Sequence, residues 1–273
     1  MSIELEDGEL FTLDDGTELI VGSLTQRNWS RVARGRHDGQ DCFVKQFIDR
    51  TGAVHAKGLA GELATQGWLV ADPPPDVTVV PVRAHSTERH VLVYPFVEMR
   101  TVDQLAVDGD LPAALASRLG TVLRSVLNAV DNSGCVTVWK GLDIKNLGVG
   151  PAERNGGQPI YLFDLGPTVT VTQADAAASV VTSILLMHWS REPRRNGLLA
   201  HAETVLNLAG AISPLTTHER VQQRLQDMFD LRRHETQERS RLRAEALRIG
   251  METAGRLYWR RARAAASALE YRA

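Results

Sequence analysis

Five polar residues stand where apolar runs or tight turns would hold them in place. Lys45 sits in FVKQF, Glu62 in AGELA, Asp143 and Asn146 in VWKGLDIKNLGV, and Asp164 at the end of IYLFDLGP. Together they offer one compact cation, three carboxylates and one amide. Singly, each has an ordinary reading. A strand lysine usually faces water, a helix glutamate usually lies exposed, and Asp-Leu-Gly after a strand is common by chance. Their order and spacing are more specific: Glu62 follows Lys45 by 17 residues, and Asp164 follows Asn146 by 18.

The chain around them sets limits. At 273 residues and 43% hydrophobic, it can bury a large core as one domain of two lobes or as two small domains. The net charge of −2 gives no case for nucleic acid as the main partner. Cys42 and Cys135 lie far apart without CxxC spacing, which excludes a disulfide framework and fits a reducing cytoplasm. The acidic start MSIELEDGEL has no apolar core and predicts no signal peptide. The longest apolar stretch, near Val180–Met187, is too short to span a bilayer and reads as a buried helix.

Charge is uneven along the chain. From Leu231 to Ala273, eleven Arg stand against five Glu, so the body carries the opposite sign. This Ala-, Leu- and Arg-rich tail predicts a helix. Its apolar stripe of Leu242, Leu247, Ile249, Leu257 and Trp259 would dock it on the body with Arg facing water. The other reading is a helix that meets a protein partner or an anionic membrane surface.

The first 97 residues are rich in short Val-, Ile- and Phe-containing runs: ELIVGSL, SRVARGR, DCFVKQFI, VTVVPVRA and HVLVYPFV. HDGQ reads as a hairpin turn. One helical pattern interrupts them, AKGLAGELATQGWLV, closed by Pro73–Pro75. From residue 98 the periodicity becomes helical, with TVDQL and LPAALASRLGTVLRSVLNAV, the latter ended by Gly134. Two short strand-like pieces follow, NLGVG and PIYLFDLG, and the rest reads as helices. The expectation is an α+β chain with a five-stranded lobe holding one helix (1–97) and a mainly helical lobe (98–273).

From about Leu19 to Thr170 this order resembles the protein-kinase-like superfamily, which includes aminoglycoside-type phosphotransferases. The resemblance implies a bilobal protein-kinase-like fold. FVKQF corresponds to the family's V-A-I-K, so Lys45 would hold the α- and β-phosphates of ATP and Glu62 would pair with Lys45 and keep it aimed. VLVYPFVE resembles the hinge, which implies Tyr94 as gatekeeper, the Pro95 carbonyl as adenine acceptor and the Val97 amide as donor. Asn146 and Asp164 match the ligands of Mg²⁺ or Mn²⁺.

The pattern also breaks. The glycine-rich loop is missing, with Thr25, Arg27 and Ser30 at the glycine positions and Arg27 or Arg31 available as a guanidinium substitute. Five residues before Asn146, where H-R-D-L-x-x-x-N has its base aspartate, stands Gly141, with Trp139 and Lys140 in the histidine and arginine positions. Asp143, two residues on, is the candidate for a shifted base. Two functions follow. One is a nucleotide-binding pseudokinase with impaired phosphoryl transfer, serving a protein partner as regulator or scaffold. The other is an atypical ATP-dependent phosphotransferase or nucleotidyltransferase acting on a small molecule or protein. A third reading drops the nucleotide and keeps only interaction through the basic tail.

Overall fold

A computed structural model describes residues 4–27, 29–49, 53–153, 157–191 and 202–235, together with 256, 259, 260, 263, 264 and 267. In chain order the elements are β1 (Leu10–Thr12), β2 (Glu18–Val21), β3 (Thr25–Gln26), β4 (Ser30–His37), β5 (Gln40–Phe47), α1 (Ala56–Ala71), β6 (Thr78–Val79), β7 (Ala84–Ser86), β8 (Val91–Pro95), β9 (Arg100–Thr101), α2 (Val102–Asp108), α3 (Ala113–Asn128), β10 (Cys135–Trp139), β11 (Leu147–Val149), β12 (Ile160–Leu162), β13 (Thr168–Thr172), α4 (Gln173–Arg191), α5 (Ala202–Ile212) and α6 (His218–Glu235). They form two compact units. One comprises Met1–Met99, Trp139–Gly141 and Gly148–Thr168; the other comprises Arg100–Val138, Leu142–Leu147 and Val169–Ala273.

The first unit is built on an antiparallel sheet in the order β1-β2-β4-β5-β8-β7, with β3 hairpinned onto β4. Side chains alternate across a strand, so register assigns each residue to a face. Val32 opposes Lys45, Arg34 opposes Phe43, and Phe43 and Lys45 oppose Tyr94 and Leu92 of β8. These residues share one face. Ala33, Cys42, Val44, Val91 and Val93 share the other, where Leu5, Leu13, Leu19 and Val21 complete a buried core. The N-terminal segment is tied there by polar contacts. The Leu5 amide donates to Gln46 Oε1 at 3.2 Å, and the Gln46 amide group donates to the Arg89 carbonyl at 2.9 Å. Helix α1 covers the Lys45 face, where Leu59 and Leu63 pack with Phe47, Val80, Leu92 and Tyr94.

The sheet has seven strands where the sequence reading has five. VTVVPVRA does not form one strand of it. Pro81 has no N–H to give a ladder. The run supplies β6, which pairs in parallel with β12 (Thr78 with Tyr161, Val79 with Leu162), and only its last residue, Ala84, belongs to β7, which joins the main sheet. The added strands β1 and β3 are only three and two residues long.

The second unit is helical. Helix α2 begins with a capping box between Thr101 and Gln104 and ends at the left-handed Gly109. Helix α3 buries Leu115, Leu119, Leu123 and Leu127 at i, i+4 spacing. It ends at Asn128, before Gly134, which instead takes a left-handed turn leading into β10. Helix α4 is buried over Ala176–Ala178 and at Val181 and Ile184, as the apolar stretch there predicts. Trp259 is 8% exposed and lies 5.9 Å, ring to ring, from His218. Leu242, Leu247, Ile249 and Leu257, the other apolar positions of the predicted tail helix, lie outside the described residues. No helix among the described residues is long and apolar enough to cross a membrane.

Candidate functional site

Four polar side chains meet on the α1 face of the sheet. Lys45 projects from β5, and its ammonium donates to Glu62 Oε2 at 2.6 Å and to Asp164 Oδ1. The second Glu62 oxygen accepts the Tyr94 hydroxyl. Each carboxylate oxygen of Glu62 therefore has its own donor, one cationic and one neutral. The ring of Phe47 lies under the ammonium at 4.7 Å.

Burial decides the electrostatics. Glu62 is 1% exposed and Lys45 7%, while the Asp164 side chain is 51% exposed. Burial raises the Glu62 carboxyl above its ordinary range, and Lys45 and Tyr94 only partly reverse this. For Lys45, burial pulls the ammonium down, but Glu62 and Asp164 outweigh it and the net direction is up. Tyr94 is pushed well above an ordinary phenol by burial and by the adjoining Glu62 charge. Lys45 thus stays a cation, held between a fixed buried carboxylate and a half-exposed one.

Asp164 is placed by its own turn. It takes a left-handed φ of 54°, uncommon for a residue with a side chain. The residues after it are fastened on two sides. The Gly166 amide donates to the Lys140 carbonyl at 3.0 Å, and the Lys140 amide donates to the Pro167 carbonyl at 2.9 Å. From α1, Thr65 Oγ1 donates to the Gly166 carbonyl at 2.9 Å. Gly61, one turn earlier, approaches so closely that a Cβ there would lie 2.8 Å from Pro167 Cβ.

The hinge-like residues continue β8. The Phe96 amide donates to the Asp41 carbonyl at 3.3 Å. This makes Phe96–Asp41 and Tyr94–Phe43 the hydrogen-bonded pairs, and Cys42–Pro95 the intervening non-bonded pair. The Pro95 carbonyl therefore points away from β5. On an extended chain the Val97 amide returns to that same edge. Val97 also packs against the core around Phe47 and Tyr94.

Asp143 and Asn146 belong to the second unit and share one 3-10 turn, Ile144–Asn146. Asp143 caps it, accepting from the Lys145 amide at 3.3 Å and lying 3.6 Å from the Lys145 ammonium, while its carbonyl accepts from the Asn146 amide at 3.0 Å. Asn146 is 6% exposed. Gly141 has φ of 101°, which disfavours any side chain there.

The place of the glycine-rich loop is taken by the β3–β4 hairpin, closed by the Arg27 amide on the Ser30 carbonyl at 2.7 Å. Arg31 is not a phosphate substitute. Its register partner is Gln46, on the face opposite Lys45, and it pairs with Glu4 at 3.3 Å.

Among the described residues, no cluster of three or more His, Cys, Asp or Glu is placed to hold a metal ion. The half-exposed Asp164 carboxylate of the first unit is a hard oxygen donor of the kind Mg²⁺ takes when phosphate oxygens and water complete its shell, and Asn146 of the second unit carries an amide oxygen of the same hard kind. Thr65, Phe47 and the Tyr94–Glu62 bond escape the sequence reading. Only their neighbourhood, one turn of α1 and the ends of two strands, could have indicated them.

No protein-family model matches the sequence, and no curated protein matches it significantly. Among solved structures it is similar to the Mycobacterium tuberculosis PknI kinase domain, at 15% identity and TM-score 0.45, covering 79% of this chain and 91% of that one. A mutant form of that domain, with one cysteine replaced by alanine, gives 14% identity, TM-score 0.46 and coverage of 78% and 91%. Vaccinia related kinase 3 gives 16% identity and TM-score 0.35; the match covers 58% of this chain, which spans about half the length of that protein (50%). Lys45 on the sheet, Glu62 on the helix α1 packed against it, an Asp-Leu-Gly segment fastened to that helix and a second, helical unit make the fold α+β and protein-kinase-like.

Proposed function

We propose that this protein is a nucleotide-binding, kinase-like protein with impaired phosphoryl transfer, acting on a protein partner as regulator or scaffold. The observation that carries the reading is Lys45, buried and charged between Glu62 and Asp164, in a chain whose base position is Gly141 at positive φ. Lys45 supplies a desolvated cation for phosphate oxygens, and Asp164 and Asn146 would hold Mg²⁺ or Mn²⁺, which neutralises phosphate charge when bound. Asp143 is engaged as a turn cap and supports no base role as it stands. Two unpaired cysteines fit a reducing, cytoplasmic setting. The exposed Arg256, Arg260 and Arg263 offer a basic face to an acidic partner or an anionic membrane surface.

The second reading, an atypical ATP-dependent transferase, draws on the same assembled lysine. Within it, the acceptor is a small molecule or a protein.

A thermal-shift titration with ATP, with and without Mg²⁺ or Mn²⁺, tests the nucleotide claim. Saturation at 100 times Kd adds about 2.7 kcal/mol to stability. Lys45→Met and Asp164→Asn should each abolish the shift. A flat titration at millimolar ATP would favour the interaction-only reading. Robust transfer by wild type that is lost in Asp143→Ala would favour the enzyme.

A further inference from the structure

We propose that the free edge of β13 is a self-pairing site, where two copies of this chain join antiparallel about a twofold axis through Thr170. The pairing does not depend on whether the chain binds nucleotide.

Strand β13 pairs with β10 in a sheet of only two strands. Two contacts fix the register. The Thr137 and Thr170 hydroxyls lie 3.0 Å apart, and the Gln173 amide donates to the Gly134 carbonyl at 3.2 Å. Bonded and non-bonded pairs alternate along an antiparallel ladder. Counted from Gln173 and Gly134, the bonded pairs are Val171 with Val136 and Val169 with Val138. The peptide groups of Thr168, Thr170 and Thr172 therefore point away from β10. Among the described residues, no backbone group meets the outward N–H and C=O of Thr170.

Natural sheets blunt such an edge with a charge, a proline or a bulge. Within β13 there is none of these. Its five residues are all β-branched and uncharged, with the three threonines exposed and the two valines half-buried. The first charge beyond it, Asp175, is neutralised by Arg220.

The sequence of the strand selects a second copy as its partner. Thr-Val-Thr-Val-Thr reads the same in both directions. In an antiparallel self-pair Thr170 faces Thr170, Thr168 faces Thr172 and Val169 faces Val171, so each residue meets its own kind. This is the self-complementarity that a twofold interface requires. The ends of the strand set the register. Pro167 has no N–H and its carbonyl is taken by the Lys140 amide at 2.9 Å, while Thr172 leads directly into α4. A shift of two residues leaves part of the strand unpaired.

The energetics favour the same arrangement. A two-stranded ribbon is marginal, whereas three or more strands with an apolar face are stable. Two copies make a four-stranded sheet in the order β10-β13-β13-β10. Thr137 and Thr170 continue as a threonine row across one face, and the half-buried Val169 and Val171 gain cover on the other. Cross-strand Thr–Thr and β-branched pairs each stabilise a sheet. An extended segment of another protein fits the same backbone groups, but β13 carries no charge or bulky side chain to select one.

The test is analytical ultracentrifugation of the full chain over a wide concentration range, because one short ladder buries less than a standard interface and associates weakly. Expected for wild type is a monomer–dimer equilibrium. Thr170→Lys and Thr170→Glu place like charges against each other on the axis and should each weaken the dimer about tenfold or more. An equal mixture of the two variants should restore it, because residue 170 of one copy then meets the opposite charge at residue 170 of the other. Restoration also shows that both variants are folded. Thr170→Ser should dimerise as wild type does. A wild type that stays monomeric at its highest concentration overturns the proposal and leaves the edge to another protein. Undiminished dimerisation of Thr170→Lys, or a mixture that stays monomeric, overturns the pairing through Thr170.

Discussion

Thr65 shares one hydroxyl proton between two carbonyl oxygens, that of Gly61 in its own helix and that of Gly166 in the segment after Asp164, each at 2.9 Å. The contact joins two stretches 101 residues apart. It fastens the helix of Glu62 to the loop of Asp164, so the two carboxylates around Lys45 do not float independently.

Thr65→Val keeps the shape and removes the donor. Thr65 is 0% exposed, so the Gly166 carbonyl loses a partner where water cannot easily replace it. The expected cost is about 1–3 kcal/mol, read as a lower urea midpoint. Thr65→Ser should recover most of it. An unchanged midpoint in Thr65→Val would show that the Lys140 contacts alone hold the segment.

The Lys45–Glu62–Tyr94 group gives a pH signature. Glu62 has a folded pKa above its unfolded 4.5, so its contribution to stability is fully present below 4.5 and is lost as pH rises through the folded value. Tyr94→Phe removes a donor to the carboxylate and raises that value further. The variant should match wild type more closely at pH 4 than at pH 7, and its loss of stability should extend toward neutrality. Lys45 is raised above 10.5, so its contribution holds below 10.5 and is lost as pH climbs through the folded value. Lys45→Met strands a buried carboxylate and should cost about 3–5 kcal/mol near neutral pH, most of it recovered in Lys45→Met/Glu62→Leu. Urea unfolding across pH 4–11 measures all of these.

Gly141→Asp should not create an enzyme. A side chain at φ of 101° costs on the order of 1–3 kcal/mol in backbone strain. The expected outcome is a lower melting temperature with no gain in ATP turnover. Gly141→Ala should show the same destabilisation, which assigns it to the backbone and not to the carboxylate. Recovered turnover in Gly141→Asp would mean that the loop relaxes into a productive register.

Trp259 ties the C-terminal segment to the second unit through His218. Trp259→Ala should cost about 3–5 kcal/mol, the range for truncating a buried aromatic. Its buried ring should also give a blue-shifted emission that is lost in the variant. Arg256→Ala and Arg260→Ala, on the exposed side, should leave stability within about 0.5 kcal/mol. A stable Trp259→Ala would overturn docking through this residue.

The lysine, the glutamate and the Asp-Leu-Gly segment were legible in the sequence because short-range rules position them. A β-branched and aromatic run puts Lys45 on a strand, a single helical pattern carries Glu62, and a strand followed by Gly166 sets the turn at Asp164. The α+β order was legible for the same reason, since a period of two gives way to a period near 3.6. Tertiary structure decided the remainder. Strands β1 and β3 are too short to show a period and exist only because β2 and β4 offer ladders. VTVVPVRA reads as one strand until Pro81 divides it between two sheets. Which oxygen of Glu62 meets Tyr94, why Arg31 turns to Glu4 and not toward Lys45, and how Thr65 reaches Gly166 all depend on register between strands and on the seating of α1. A one-residue slip would reverse each of these faces without changing a local propensity. The sequence by itself determined which chemical groups are present and which elements carry them; packing alone decided which of those groups meet.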